Sequence, residues 1–190
     1  MQTLSLRVKI GQRLVAGFPG TKPDPDFFQL VRRYKIGNVI LFRENIVDEK
    51  QLADLCAELR AFIQKEDQEG GVVTRLPDEE TNIPGAMALA ATGDPGDAYR
   101  MGRITAAKLR ACGINLNLAP DMDVNCNPDN PVIGVRSFSD DPQTAAEYGT
   151  AMLRGLLDGG VYACLKHFPG HGDTAVDSHL NLPCVDKSLE

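Results

Sequence analysis

The sequence predicts an α/β fold built on a parallel β-sheet. Short apolar runs alternate with amphipathic segments along the chain, which is typical of βαβ units joined by right-handed crossovers. Polar and titratable residues directly follow several of these runs, as they do where parallel strands end in an active site. A closed barrel of eight βα units usually needs about 250 residues, whereas this chain has 190. We therefore expect either an open α/β sheet or part of a barrel.

Two strands and one helix are predicted near the start of the chain. The strands are apolar runs at residues 14–18 and 36–42, the first of which is closed by a Pro-Gly turn. Between them, Asp24 is suited to cap a helix because its carboxylate can accept hydrogen bonds from the first turn. Pro25 fits the first helical position, and the helix is expected to end near Lys35. These elements form the first βαβ unit.

The next helix is strongly amphipathic. Asp48 is its predicted cap, and apolar residues recur at spacings of three and four from Leu52 to Ile63. This spacing places them on one face of a helix. The pattern predicts that the helix continues through Glu66 into Asp67, with no strand in between.

The second half of the chain repeats the alternation. A helix is predicted over residues 97–112 and a strand over residues 114–118. Asp141 and Pro142 begin the last helix, which two consecutive glycines end, and residues 161–165 form the last strand. Four strands are thus expected in total.

Composition limits the classes of function. The chain is 43% hydrophobic and 24% charged, which is typical of a soluble globular protein. Its net charge of −6 argues against nucleic acid or an anionic membrane as a partner. There is no apolar run of about 18 residues and no signal-peptide pattern, so a cytoplasmic location is expected, with export as the alternative. The five cysteines lack a CxxC spacing and are expected to be free thiols.

Polar groups cluster after four of the apolar or amphipathic segments. They lie at residues 43–45, 67–69, 121–125 and 166–167. Any one of these groups alone is compatible with a capped loop or a surface salt bridge. Four of them together predict one site, because the carboxyl ends of parallel strands meet at the same edge of a sheet.

All three histidines lie within residues 166–179. Histidine and aspartate are common metal ligands, so a metal site is one hypothesis, although a Pro-Gly break keeps His167 and His171 from sharing a helical face. A structural role for all three is a second hypothesis. The third rests on Asp177, which is two residues from His179 and can hydrogen-bond one ring nitrogen. That contact would leave the other nitrogen free for general acid–base catalysis near neutral pH.

Two cations are further candidates for a binding site. Lys166 and Arg136 lie near predicted strand ends, where they could hydrogen-bond the hydroxyl groups of a sugar. The alternative for each is a structural ion pair.

The longest motif, KHFPGHGDTAVDSH at residues 166–179, closely resembles the signature of glycoside hydrolase family 3 β-N-acetylhexosaminidases of the NagZ type. Five other blocks occur in the order of that family: GNVILFREN (37–45), DQEGGVVTRL (67–76), PGAMALAATGD (84–94), GINLNLAPDMDVN (113–125) and NPVIGVRSFSDDP (130–142). Together these blocks span most of the chain.

The resemblance implies a fold, a reaction and a set of site residues. The fold is a TIM (β/α)8-barrel, and the reaction is hydrolysis of terminal β-linked N-acetylglucosamine with retention, through a covalent glycosyl-enzyme and without a metal or other cofactor. The implied use is peptidoglycan turnover, with N-acetylglucosamine linked to anhydro-N-acetylmuramic acid as substrate. Asp177 and His179 would form the acid/base dyad. The implied sugar-binding residues are Asp67, Arg75, Arg136, Lys166 and His167.

Two departures from the family pattern shape the expectation. The nucleophile of the family is an aspartate on a later strand, beyond Glu190, and Asp186 follows the dyad too closely to replace it. The family also has a strand leading into DQEGG, which the long predicted helix leaves no room for. Residues 1–190 are therefore expected to be a single domain, the N-terminal portion of the barrel, truncated before the nucleophile strand. Exposed barrel edges would then favour self-association, and a sugar-binding or assembly fragment is the alternative to an enzyme.

Overall fold

A computed structural model describes residues 5–59, 63–66, 68–76 and 83–185. These residues form a five-stranded parallel sheet whose strand order follows the chain, β1-β2-β3-β4-β5. The strands are β1 (Val15–Ala16), β2 (Asn38–Ile40), β3 (Ile63–Glu66), β4 (Leu116–Asn117) and β5 (Tyr162–Ala163). Sequential parallel order with helical crossovers is the arrangement of an α/β barrel wall. Within the described residues β1 and β5 remain the two edges, so the α/β architecture is confirmed and closure into a barrel is not seen.

Six α-helices are described. They are α1 (Leu6–Gly11), α2 (Pro25–Tyr34), α3 (Glu49–Glu58), α4 (Ala86–Ala90), α5 (Pro95–Ala111) and α6 (Pro142–Asp158). Short 3-10 turns lie at Arg43–Asn45 and Gly134–Arg136. The helices α1 and α4 were not predicted from the sequence. No described helix is long and apolar enough to span a bilayer.

Aspartate caps begin the longer helices. Asp24 accepts a hydrogen bond from Phe27 N at 2.7 Å, and Asp48 and Asp141 make equivalent contacts in the first turns of α3 and α6. The predicted caps of these three helices are therefore confirmed. The helix predicted to start at residue 97 begins two residues earlier, because Asp94 caps α5.

The prediction of a continuous helix into Asp67 is wrong. Helix α3 ends at Glu58, and Ile63–Glu66 form β3, which pairs in parallel with both β2 and β4. A central strand gains backbone hydrogen bonds on both sides, and this gain outweighs the helical spacing of the apolar residues. A strand that leads towards residue 67 is therefore present.

The core lies between the sheet and its helices and fixes the strands whose ends carry polar groups. Val39 and Leu41 from the β2 region pack with Leu52 of α3, all at most 1% exposed. Each fully buried aliphatic side chain stabilises the fold by about 1.5–3 kcal/mol. Helices α5 and α6 pack closely at Gly102 and Gly155, where any Cβ would overlap the facing backbone.

The segments that follow the paired strands β4 and β5 remain adjacent. Asp121 and Lys166 form an isolated parallel bridge beyond the strands, and Met122 N donates to Lys166 O at 2.7 Å. Three of the four polar groups predicted to meet, at residues 68–69, 121–123 and 166–167, therefore stand at one edge of the sheet.

Candidate active site

A carboxylate next to the end of β3 is the centre of the site. Glu69 is 7% exposed and binds Arg136 in a bidentate pair, Oε1 to Nη2 at 2.8 Å and Oε2 to Nε at 2.9 Å. Lys166 Nζ lies 2.5 Å from Glu69 Oε1. Burial on its own would raise the pKa of Glu69, but the hydrogen bonds and charges of Arg136 and Lys166 outweigh it and hold that pKa below its ordinary value. Glu69 is therefore ionised and bridges two strand ends.

A second buried carboxylate orients His167. Asp123 Oδ2 accepts from His167 Nδ1 at 2.6 Å and from His167 N at 3.2 Å, while its Oδ1 accepts from His171 N. Burial would raise the pKa of Asp123, but the hydrogen bond from His167 outweighs it and the pKa is lowered. Because Nδ1 donates to Asp123, Nε2 of His167 is left facing Arg136 Nη2 at 3.4 Å.

Five residues thus form one connected group, which we call the strand-end cluster: Glu69, Asp123, Arg136, Lys166 and His167. Three of them, Arg136, Lys166 and His167, are predicted sugar-binding residues, and the structure brings them together. Glu69 and Asp123 were named only as members of polar groups, and their roles in the network were missed. Part of the sequence signal was available, because each carboxylate follows a strand and Lys166 follows another.

Asp121 lies under this cluster and is 2% exposed. Burial, reinforced by the nearby charges of Asp123 and Glu69, raises the pKa of Asp121 to about 8, although a hydrogen bond from Asp123 N opposes the shift. Its Oδ2 has no hydrogen-bond partner among the described residues and lies 3.6 Å from Arg136 Nη2. Burial therefore favours the protonated form of Asp121.

One group of potential metal ligands exists among the described residues. Single atoms of Asp121, Asp123 and His167 lie within 4.8 Å of one another. This set differs from the three-histidine hypothesis, because the described His171 and His179 do not join it. The predicted absence of a metal stays a prediction.

The pair Asp177 and His179 lies outside the strand-end cluster. Asp177 Oδ1 accepts from His179 Nδ1 at 2.7 Å and from His179 N at 2.8 Å. These two bonds, the backbone one first, lower the pKa of Asp177. The His179 side chain is 80% exposed, so Nε2 is open to a reactant. The expected hydrogen bond is present, while its catalytic role stays a prediction.

The two remaining predicted residues differ in what can be said of them. Arg75 N donates to Gln68 Oε1 at 2.8 Å, and the same oxygen accepts from Leu76 N at 3.1 Å. The buried Gln68 therefore ties the Arg75 backbone to the end of β3. Asp67 lies outside the described residues.

The fold and this site define a domain of the parallel α/β class with a polar cluster at one edge of its sheet. Residues 5–190 match the Glycosyl hydrolase family 3 N terminal domain. The chain therefore belongs to this family, which confirms the resemblance seen in the sequence.

Relatives agree on the activity class. The chain is 43% identical over 176 residues to beta-hexosaminidase A of Pseudoalteromonas piscicida, an alignment that covers 85% of this chain and 29% of that protein. A solved family 3 β-N-acetylglucosaminidase from Paenibacillus is 46% identical with a TM-score of 0.91, over 96% of this chain and 36% of that one. The chain is thus related to β-N-acetylglucosaminidases and spans about a third of these two proteins.

A third relative is a structure with a bound sugar analogue. NagZ from Neisseria gonorrhoeae, solved in complex with N-trifluoroacetyl-D-glucosamine, is 36% identical with a TM-score of 0.85. The alignment covers 93% of this chain and 55% of that one. The chain thus spans about half the length of that protein.

Proposed function

We propose that this chain is the sugar-binding and proton-transferring part of a retaining exo-β-N-acetylglucosaminidase. The observation that carries the proposal is the strand-end cluster, which presents two cations and an oriented imidazole at the edge of the sheet where α/β barrels bind substrate. The related NagZ with its bound glucosamine analogue supports the sugar class.

Sugar binding is assigned to the polar groups of the cluster. Arg136 and Lys166 are held by Glu69, and guanidinium and ammonium groups are hydrogen-bond donors suited to sugar hydroxyls. His167, whose Nδ1 is bound by Asp123, adds its Nε2 to this set of polar groups. Asp67 and Arg75 complete the proposed set, on the strength of the motif alone.

Proton transfer is assigned to the exposed dyad. His179 would protonate the glycosidic oxygen as the bond breaks and would later take a proton from the attacking water. Asp177 would keep the Nδ1 proton in place and stabilise the imidazolium that forms. The 2.7 Å contact between them supports this division of roles.

The nucleophile is expected from residues other than those described at this edge. Glu69 is engaged by two cations, Asp123 is hydrogen-bonded to His167, and Asp121 has a pKa raised to about 8. None of these three carboxyl groups is both ionised and free to attack an anomeric carbon. We infer that an aspartate elsewhere in the complete barrel supplies the covalent bond.

The physiological setting is part of the same proposal. We propose N-acetylglucosamine linked to anhydro-N-acetylmuramic acid as the substrate, with muropeptide turnover in the cytoplasm as its use and no cofactor. Hydrolysis of that disaccharide, with the sugars separated by chromatography, tests the substrate. Export of the protein in cell fractionation would contradict the location.

A chromogenic N-acetylglucosaminide assay of the complete barrel, with and without a chelator, tests the activity. Turnover that chelator leaves unchanged, with the β-anomer as first product by NMR, is the expected result. Turnover lost in chelator would replace this mechanism with metal-assisted hydrolysis through the Asp121, Asp123 and His167 group.

A sugar-binding or assembly fragment is the second candidate function. It is favoured by the exposed edge at β5, where Tyr162 is 67% exposed, and by Leu182, which is 95% exposed. Saturable binding of N-acetylglucosamine without turnover would support it. Light scattering would reveal the self-association that such edges favour.

A further inference from the structure

The segment that carries His179 has a partly buried half up to Thr174 and a mostly exposed half after it. We call residues 171–174 the anchored turn, in which Gly172 and Thr174 are buried. We call residues 175–181 the exposed loop, of which only Asp177 is partly buried. Among the described residues, every hydrogen bond of the exposed loop is made within residues 174–181. The two halves are therefore held in different ways.

Two asparagine side chains hold the anchored turn from the loop after β4. Asn130 Nδ2 donates to His171 O at 2.7 Å, and Asn127 Nδ2 donates to Asp173 O at 3.1 Å. Asn127 N also donates to Gly172 O at 3.3 Å. A carbonyl from each of three consecutive residues is thus bound by one short stretch of the neighbouring loop.

The same asparagines fix their own loop through the other side-chain atom. Asn130 Oδ1 accepts from the next two available backbone N–H groups at 2.9 and 2.7 Å, immediately before the 3-10 turn that presents Arg136. Asn127 Oδ1 accepts from Asp129 N at 2.9 Å. Each side chain therefore uses its oxygen within the loop and its nitrogen across to the anchored turn.

Close packing supports the same contact. A Cβ on Gly172 would overlap the backbone of Val124, so only glycine lets the two segments approach this closely. Asn130 is 9% exposed, and its donated bond to a backbone carbonyl is shielded from water. Losing that bond would remove one donor from the His171 carbonyl where water is excluded, and this loss is expected to lower the stability of the contact.

We propose that Asn127 and Asn130 are positioning residues that fix the start of the exposed loop relative to Arg136. The proposal rests on the proposed function, because it takes His179 on that loop as the general acid. A fixed starting point limits where His179 can swing, so that its ring meets the glycosidic oxygen of a sugar held by the strand-end cluster. Misplacing a catalytic group by about 1 Å can cost about a hundredfold in rate.

Asparagine-to-aspartate variants test the hydrogen bonds from Asn127 and Asn130 to the anchored turn. Asn130→Asp and Asn127→Asp each keep the oxygen that accepts within the loop, and each replaces the nitrogen that donates across it with an anionic oxygen that repels the facing carbonyl. Asp129 is exposed, and Asp129→Asn by itself is the control for a change in charge. Combined with Asn130→Asp, it restores the net charge of the unsubstituted protein. The Asn127 variant lies at a less buried position, so it remains informative if the buried change at Asn130 unfolds the protein.

Two measurements on the intact protein are required. Hydrogen exchange of peptides covering residues 170–176 is expected to become about tenfold faster in both variants, while the β2 and β4 peptides stay unchanged. Steady-state hydrolysis of a chromogenic N-acetylglucosaminide is expected to show kcat lowered by about ten- to a hundredfold with KM within about threefold, because positioning acts on the bond-breaking step. Asp129→Asn alone should change neither quantity.

The outcomes separate this proposal from the function it rests on. Unchanged exchange of residues 170–176 in both variants would overturn the link whether or not the protein is an active glycosidase. Faster exchange with unchanged kcat would overturn the positioning role. Absence of turnover in the unsubstituted complete barrel would refute the proposed function instead, and the exchange measurement would still decide whether the asparagines anchor the turn.

Discussion

The strand-end cluster and the exposed loop carry the two halves of the proposed chemistry in opposite environments. In the cluster, Glu69 and Asp123 are buried and each holds partners from other strand ends. In the loop, the contact between Asp177 and His179 is local, and the His179 ring is mostly exposed. The proposed binding groups are thus preorganised by long-range contacts, whereas the ring of the proposed proton donor is hydrogen-bonded by its neighbour Asp177 on a loop that is anchored at its start. This difference suits a site that holds a sugar before the acid closes over it.

The largest expected effect separates chemistry from binding. His179→Ala is expected to lower turnover by about 10²–10⁴-fold, because a general acid–base group contributes that much. Sugar binding should remain, since the ring does not touch the strand-end cluster in this structure. The measurement is steady-state kinetics together with a binding titration of N-acetylglucosamine. Ser178→Ala on the same loop is the control, and a loss under tenfold for His179→Ala would remove this residue from the mechanism.

The second effect concerns the stability of the strand-end cluster and its binding of sugar. Glu69→Gln removes the charge that pairs Arg136 and Lys166 while keeping the shape of the side chain. Breaking one partner of a buried ion pair is expected to destabilise the fold by about 3–5 kcal/mol, because two cations are left without their anion. Denaturant unfolding measures this loss, and binding of N-acetylglucosamine should fall with it.

Glu147→Gln is the matched control for that change, because Glu147 is exposed on α6, whereas Glu69 is buried. An unfolding free energy for Glu69→Gln equal to that of the control would show that the ion pair contributes nothing to the cluster.

A smaller effect concerns the pH dependence of stability. The pKa of Asp121 is raised to about 8 from an ordinary value of 3.8. Between these values the folded state keeps a proton that the unfolded state has lost, so this group makes stability fall as pH rises from about 4 to about 8. Glu69 and Asp123 act oppositely in acid, where their lowered pKa values make stability fall as pH drops below about 4.

Asp121→Asn should flatten the decline between pH 4 and about 8, since an amide cannot lose that proton. It also keeps an oxygen to accept from Asp123 N. Thermal unfolding across this pH range tests the prediction. A decline in the variant as steep as that of the unsubstituted protein would mean that another group is responsible.

Local features of the fold could be predicted and long-range ones could not. The caps at Asp24, Asp48 and Asp141 follow from residue type and the apolar period beside them, and the structure has them. Strand β3 was missed because its residues continue a helical spacing, and only pairing with β2 and β4 reveals a strand. Closure into a barrel depends on partners for the two edge strands, which the described residues do not supply.

In the candidate site, too, local contacts could be predicted and long-range contacts could not. The hydrogen bond between Asp177 and His179 was expected because the two residues are two apart in the chain. Glu69 is separated by 67 residues from Arg136, so its bidentate pair could not be derived from local pattern. The raised pKa of Asp121 likewise depends on burial and on charges from other strand ends. Residue types predicted the members of the site, and tertiary structure determines which of them act together.

One titration tests the central claim that binding and proton transfer are separable. N-acetylglucosamine is titrated into the unsubstituted protein, His179→Ala and Glu69→Gln, with binding followed by NMR. We predict saturable binding for the first two and at least tenfold weaker binding for Glu69→Gln, since an ion pair that fixes two binding groups is lost. Equal binding by Glu69→Gln, or loss of binding in His179→Ala, would contradict it.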